Sequence, residues 1–268
     1  MGESWTMNCA LAIGGLDPGG GAGVVADLRA FAAAGAFGCA AVAVMTVQST
    51  RGLVSARAVP AREVVAQVRE VMRVQRVRAI KVGALGSRAN VRAVGELLRA
   101  ARGVAAVVDT PMLPTRGRAR LLAEGAVSTV RDALLPYAAL VTVNVAEAEA
   151  LTGLRVATVS DAHDAALALC RLGARAALVK GGHLAGSSAI DVLALGGDAG
   201  SVIELRAKRL PLAASHGTGC TFASLVAGRI AATDATIVDA VRWAKRVHHG
   251  ALSRTRDVGG TMRVVAFG

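Results

Sequence analysis

Short apolar runs that end on a polar or glycine position alternate with stretches of helical period along most of this chain. Cys9 to Gly14 is apolar and is closed by glycines, which by length and flanks predicts a buried strand. The loop Gly15 to Gly23 follows, and Val24 to Ala34 then predicts a helix stopped at Gly35. Cys39 to Val47 predicts a second buried strand. Glu63 to Gln75 sets Val64, Val65, Val68, Val71 and Met72 on one helical face, with Arg62, Arg69, Arg73 and Arg76 on a solvated opposite face. Further strands are predicted over Ala79–Val82, Val104–Val108, Leu140–Val143 and Ala176–Val179, and helices over Ala89–Ala101 and Asp161–Leu172. Beyond Lys180 the pattern changes to a hairpin, Ile190–Leu195 and Ser201–Leu210, around Gly196-Gly197-Asp198. Two helices close the chain, Thr221–Ala232 and Ile237–Arg254.

Strands alternating with helices predict an α/β fold, a mostly parallel sheet covered on both faces. There is no internal repeat and no long linker, so residues 7–268 are expected to form one domain. Met1 to Thr6 carry no pattern and are expected to be a disordered extension. Asp109, Asn144 and Lys180 each fall just past the carboxyl end of a predicted strand. Open parallel sheets bind ligands along that edge, so these breaks in the apolar pattern mark where a site would lie.

The stretch Ser215-His216-Gly217-Thr218-Gly219-Cys220-Thr221 feeds small residues of helical spacing. A tight loop entering a helix N-terminus offers unpaired N–H groups and the positive end of the helix dipole, which suits an anion. Cys220 sits at this opening turn, where a thiol is commonly shifted toward thiolate. A glycine cap beside a buried structural cysteine fits the same residues. Asn144 and Glu147 have a similar double reading, because N-x-x-E also spells a helix capping box. Asp27 reads equally as a first-turn acid of its helix. His183, His216, His248 and His249 are expected to be held by backbone contacts or by a helix dipole, outside the chemistry.

Composition narrows the partners. At 268 residues with 53% hydrophobic and only 3% aromatic content, the core must be built from Ala, Val and Leu. No apolar run approaches the roughly 18 residues of a membrane span, and no secretory signal is seen at the start. The four cysteines, Cys9, Cys39, Cys170 and Cys220, have no metal-ligand spacing and read as free thiols of a reducing cytoplasm. The net charge of +12 is almost all arginine, scattered through apolar sequence and not gathered into an aromatic-interleaved patch. Nucleic acid is therefore not expected as a partner; anionic small molecules are.

Six motifs in order carry a resemblance. They are Gly15-x-Asp17-Pro18-x-Gly20-Gly21-Ala22-Gly23 with Ala26-Asp27-Leu28; Thr46-x-Gln48-x-Thr50; Asp109-x-x-Met112; Asn144-x-x-Glu147; Lys180-Gly181-Gly182-His183; and His216-Gly217-Thr218-Gly219-Cys220. Together they resemble the hydroxymethylpyrimidine/phosphomethylpyrimidine kinases of thiamine biosynthesis, within the ribokinase superfamily. The likeness runs from Met7 to the helix after Ala235. It implies a ribokinase-like three-layer sandwich and an ATP- and Mg²⁺-dependent kinase. Gly217, Thr218, Gly219 and Cys220 would form the catalytic anion hole, with Cys220 facing the substrate hydroxyl. Lys180 and Asn144 would serve the nucleotide, and Asp109 and Glu147 the metal. Gln48, Gly15, Asp17, Ala22 and Asp27 would line the substrate side, with the Gln48 amide pairing with the aminopyrimidine edge. A cytoplasmic homodimer is expected, with no membrane partner.

The chain departs from the family at several points. Leu16 stands where serine or threonine is usual. Pro114-Thr115-Arg116-Gly117-Arg118 replaces a lysine-serine-glycine flap, Ala84 replaces a methionine of the pyrimidine pocket, and the end from Val258 lacks the usual closing pattern. Ala84 leaves room for a pyridoxal-type substrate. The altered flap raises a second class, a weakened ligand-binding protein, against which the retained Asp109, Asn144, Glu147 and Cys220 argue, since a binder needs no metal-organising carboxylates.

Overall fold

The computed structural model of the chain describes residues 7–109, 125–182, 184, 187–197, 200–210 and 215–267, with the side chains of 215–216 left aside. The extension 1–6, Met112, the stretch Pro114–Arg118 and His183 lie outside the described residues.

A nine-stranded sheet forms the middle layer, in the order β3-β2-β1-β4-β5-β6-β7-β8-β9. Its strands are β1 (Cys9–Leu16), β2 (Phe37–Ser49), β3 (Gly52–Ala58), β4 (Val77–Val82), β5 (Ala105–Val108), β6 (Leu140–Asn144), β7 (Ala176–Lys180), β8 (Ser188–Leu195) and β9 (Ser201–Lys208). The run from β2 to β7 is parallel. Antiparallel β3 closes one edge, and the β8–β9 hairpin closes the other. The sequence pattern missed β3: its polar Ser55 and Arg57 stand on an edge strand, where one face meets water and no apolar run is required.

Alternation along β1 divides the core. Cys9, Leu11 and Ile13 point into a layer with the helices α2 (Ala61–Val74), α3 (Arg88–Ala100), α4 (Val127–Ala133), α5 (Val145–Thr152) and α6 (Val159–Arg171). Ala10 and Ala12 point the other way, against α1 (Gly23–Ala33), α7 (Thr218–Thr233) and α8 (Ile237–Leu252). The small side chains on that face let α1 and α7 approach closely. A Cβ added at Gly228 would lie 2.8 Å from the Ala34 Cβ. Short strands β10 (Ser215–His216) and β11 (Arg263–Val264) pair in parallel, so the C-terminus braces the segment that leads into α7. The tip between β2 and β3 is tied to the same end, the Thr50 hydroxyl donating to the Gly259 carbonyl at 2.6 Å. No helix among the described residues is long and apolar enough to cross a membrane.

Candidate active site

The loops at the carboxyl ends of the parallel strands converge on the N-terminus of α7. Gly217 is its N-cap, in the left-handed region at φ 72°. A side chain there would be strained and would strike the Gly21 carbonyl, so the position joins the first loop to this one. The helix begins at Thr218, earlier than the sequence pattern suggested, because Thr221 N–H already reaches the Gly217 carbonyl at 3.0 Å. Thr218, Gly219 and Cys220 are thus the first helical residues, whose N–H groups have no acceptor within the helix. A Cβ at Gly219 would lie 3.1 Å from Lys180 Nζ. The N–H groups of this first turn, the helix dipole and the Lys180 ammonium therefore meet near Gly219, an arrangement suited to a phosphoryl group.

Lys180 ends β7, and its ammonium lies 2.9 Å from Asp109 Oδ1 at the end of β5. The Thr142 hydroxyl on β6 donates to the same oxygen at 2.8 Å. Burial alone would raise the Asp109 pKa, but the Lys180 and Lys81 ammoniums outweigh it and hold the carboxyl below its ordinary value. Burial likewise opposes the Lys180 charge, yet Asp109 and then Glu147 carry its pKa above the usual lysine value. Gly181 follows, where a side chain would strike the Ile190 carbonyl. Its N–H donates to Asp191 at 3.0 Å, and Lys245 of α8 holds the other oxygen of that carboxylate at 2.6 Å.

Asn144 and Glu147 form the capping box that their spacing allows, each side chain accepting from the other residue's N–H at 2.9 Å. The box fixes the turn after β6 and leaves the Glu147 charge near Lys180. Two carboxylates, Asp109 and Glu147, thus flank one ammonium at the ligand edge. Mg²⁺ is usually held by one or two carboxylates with waters and substrate phosphates, and this donor set fits it. Among the described residues no group of three His, Cys, Asp or Glu forms a closed protein cage.

Asp17 is buried, and its carboxylate accepts from Gly19 N–H and Ala22 N–H, both at 2.8 Å, folding the first loop around itself. Thr46 on β2 donates to the Leu16 carbonyl at 2.7 Å, which ties β2 to the same loop, and Gln48 stands two residues further along that strand. Gly23, at φ 58°, would strike the Gly15 carbonyl with any side chain. A Cβ at Gly15 would sit 3.8 Å from the Ala84 Cβ, so the first loop and the β4 end share a wall. Asp27 is 0% exposed and lies behind these loops, paired with Lys81 and Ser224.

One expectation is corrected. Cys220 was expected to be shifted toward thiolate by the helix N-terminus. Burial instead pushes its thiol up to about 12, and the Lys81 charge offsets this only in part, with Asp109 and Asp27 adding to the rise. Lys81, Ser224 and Thr142 were missed by the sequence reasoning. The available signal for Lys81 was a lysine inside the otherwise buried strand run Ala79-Ile80-Lys81-Val82.

The profile of the phosphomethylpyrimidine kinase family matches residues 17–265. A hydroxymethylpyrimidine/phosphomethylpyrimidine kinase of Streptomyces coelicolor is 42% identical over 263 residues, covering 98% of this chain and 95% of the relative. One from Rhizobium meliloti is 40% identical over 245 residues, covering 91% and 90%. Among solved structures, the ADP complex of Bacillus subtilis pyridoxal kinase superposes with a TM-score of 0.87 at 26% identity, covering 97% of each chain. A phosphotransferase fold, the convergent anion loop and these relatives agree: the chain belongs to the phosphomethylpyrimidine kinase family.

Proposed function

We propose that the protein transfers the terminal phosphoryl group of ATP to the hydroxymethyl oxygen of 4-amino-5-hydroxymethyl-2-methylpyrimidine, and then phosphorylates the monophosphate, in thiamine biosynthesis. The observation that carries this is the meeting of the α7 N–H groups with Lys180 at Gly219. Phosphoryl transfer asks for positioning and charge neutralisation, and this point supplies both. Gly217, Thr218, Gly219 and Cys220 hold the transferred group, and Lys180 and Asn144 serve the nucleotide phosphates. Asp109 and Glu147 would hold Mg²⁺, which neutralises phosphate charge when bound. Gln48, Gly15, Asp17 and Ala22 form the pyrimidine side, with Asp27 supporting them from behind. Cys220 faces the substrate hydroxyl as a neutral thiol, so the anion hole contributes more than a base does.

Free thiols and a need for ATP fit the cytoplasm. A second copy of the chain fits the edge hairpin, where Met45, Val47 and Val54 are 40%, 58% and 76% exposed. Light scattering should give twice the monomer mass, and Val47→Lys should halve it.

An ATP-consumption assay with the alcohol, its monophosphate and pyridoxal side by side tests the activity. Turnover of both pyrimidines well above pyridoxal is expected. Turnover of pyridoxal alone would move the protein to the other vitamin, and no turnover would leave a binding protein.

A further inference from the structure

Lys81 lies on β4 with its side chain 1% exposed, and its ammonium sits 3.0 and 3.1 Å from the two carboxylate oxygens of Asp27 on α1. The Ser224 hydroxyl, one turn beyond Cys220 on α7, donates to Asp27 Oδ1 at 2.6 Å and lies 2.9 Å from the Cys220 carbonyl oxygen. Sheet, α1 and α7 are thus joined by polar contacts in the middle of an otherwise apolar layer. Stability is a weak reason for such a pair. Desolvation costs several kcal/mol per ion, and apolar replacements of a whole buried pair are often neutral or stabilising.

Composition sharpens the point. Of 31 basic residues only Lys81, Lys180, Lys208 and Lys245 are lysine. Three of those four are held by a carboxylate, with side chains 1%, 20% and 15% exposed for Lys81, Lys180 and Lys245. A chain that otherwise uses arginine keeps lysine where a compact point charge must fit, which a planar guanidinium fork does not match. The Lys81 ammonium also reaches the ligand edge: a Cβ at Gly83 would lie 3.0 Å from it. Burial opposes its charge, but the Asp27 carboxylate, and beyond it Asp109, raise its pKa above the ordinary lysine value, so it stays an ammonium.

We propose that Lys81 is a positioning residue for phosphoryl transfer: clamped by Asp27, and through it by Ser224, it fixes the first turn of α7 so that the N–H groups of Thr218, Gly219 and Cys220 stay aimed at one point. The chemical effect rests on the function proposed above; the fixing of the turn does not. Ser224→Ala cuts the link to α7 and leaves the ion pair in place. Lys81→Met with Asp27→Asn removes both charges together and avoids an unpaired buried carboxylate.

The experiment measures kcat and KM for ATP and the pyrimidine, the melting temperature, and amide exchange across residues 217–224 in the whole protein. In both variants kcat should fall about ten- to a hundredfold, the range expected when a catalytic group is misplaced by an ångström or less. KM values should change little, the melting temperature should stay near wild type, and exchange should quicken at 221–224, whose N–H groups close the first turn, but not later in α7. Wild-type kcat in both variants overturns the inference, and so does unchanged exchange at 221–224. A wild-type protein that phosphorylates no pyrimidine sinks the proposed function only, and exchange alone then decides.

Discussion

The ion pairs at the ligand edge of the sheet and those on the outer helices use the same charges to different ends. On α2 and α3, Glu70–Arg73 and Glu96–Arg99 are i,i+3 pairs at 2.6 Å whose side chains are all more than half exposed. At the site edge, Asp27–Lys81, Asp109–Lys180 and Asp191–Lys245 are largely or fully buried and each joins two elements distant in sequence. The outer pairs decorate single helices in water, where screening leaves them small effects. The inner ones cost desolvation, and that cost is tolerated where it holds loops in register. Arginine serves the first set and lysine the second. A charge therefore reports function here by its burial and by the separation of the elements it connects.

The sharpest way to break this comparison is to crowd an inner ammonium without touching its charge. Gly219 has no positive φ, so Gly219→Ala leaves the helix backbone unstrained. Its new Cβ would lie 3.1 Å from Lys180 Nζ, so the ammonium must shift by a few tenths of an ångström while a methyl group enters the anion loop. Loss of about 10²–10³ in kcat is expected, as for removal of an oxyanion donor, with the melting temperature close to wild type. Steady-state kinetics beside thermal unfolding check this. Wild-type kcat would show that the Lys180 position does not matter to transfer.

Glu147 separates cap from charge. Glu147→Gln keeps an oxygen that can accept the Asn144 N–H, so the capping box and α5 should persist. A residue that organises Mg²⁺ should cost about ten- to a hundredfold in activity when its charge goes, and part should return as Mg²⁺ is raised. Full activity at ordinary Mg²⁺ would leave Glu147 as a cap alone.

Cys220 tests whether an inner group must ionise. Its thiol, pushed up to about 12 by burial, is neutral throughout pH 7–9. Were a thiolate the base, kcat would climb tenfold per pH unit below that value, and Cys220→Ser would lose about 10²–10⁴-fold. With the anion hole dominant, kcat should be flat from pH 7 to 9 and the serine variant should lose about tenfold or less. A steep alkaline rise in the wild type, absent from the serine variant, would restore the base.

Much of this was legible before the structure. The alternation of apolar runs and helical periods was enough for the parallel sheet, because strands buried on both faces must read as continuous apolar runs. Polar residues at strand ends pointed to Asp109, Asn144 and Lys180. What the pattern hid was of two kinds. β3 was hidden because an edge strand needs no apolar run, and the start of α7 because Thr218 and Gly219 are weak helix formers that the cap at Gly217 commits. The Cys220 pKa was hidden because sequence shows the helix N-terminus that favours a thiolate but not the depth of burial that opposes it. Lys81 stood in plain view, a lysine within a buried strand, but its partner Asp27 lies 54 residues away, and Ser224, which bonds Asp27, lies 197 residues from that carboxylate.

The smallest expected effect guards the whole comparison. Glu70→Gln with Arg73→Gln removes an outer pair that shares one face of α2 and touches nothing in the site. Arg73 holds the Glu70 carboxyl below its ordinary range through a direct hydrogen bond, yet both groups remain in water, where their hydration replaces most of what the contact supplies. The double variant should therefore keep wild-type kcat and KM, and its melting temperature should match wild type at high salt and differ slightly at most at low salt, where screening is weakest. Matched unfolding and kinetic runs at two ionic strengths measure this. A loss of activity comparable to that of the Lys81 and Asp27 double variant would mean that burial is not what separates the two sets of pairs. The positioning role assigned to Lys81 would then lose its footing.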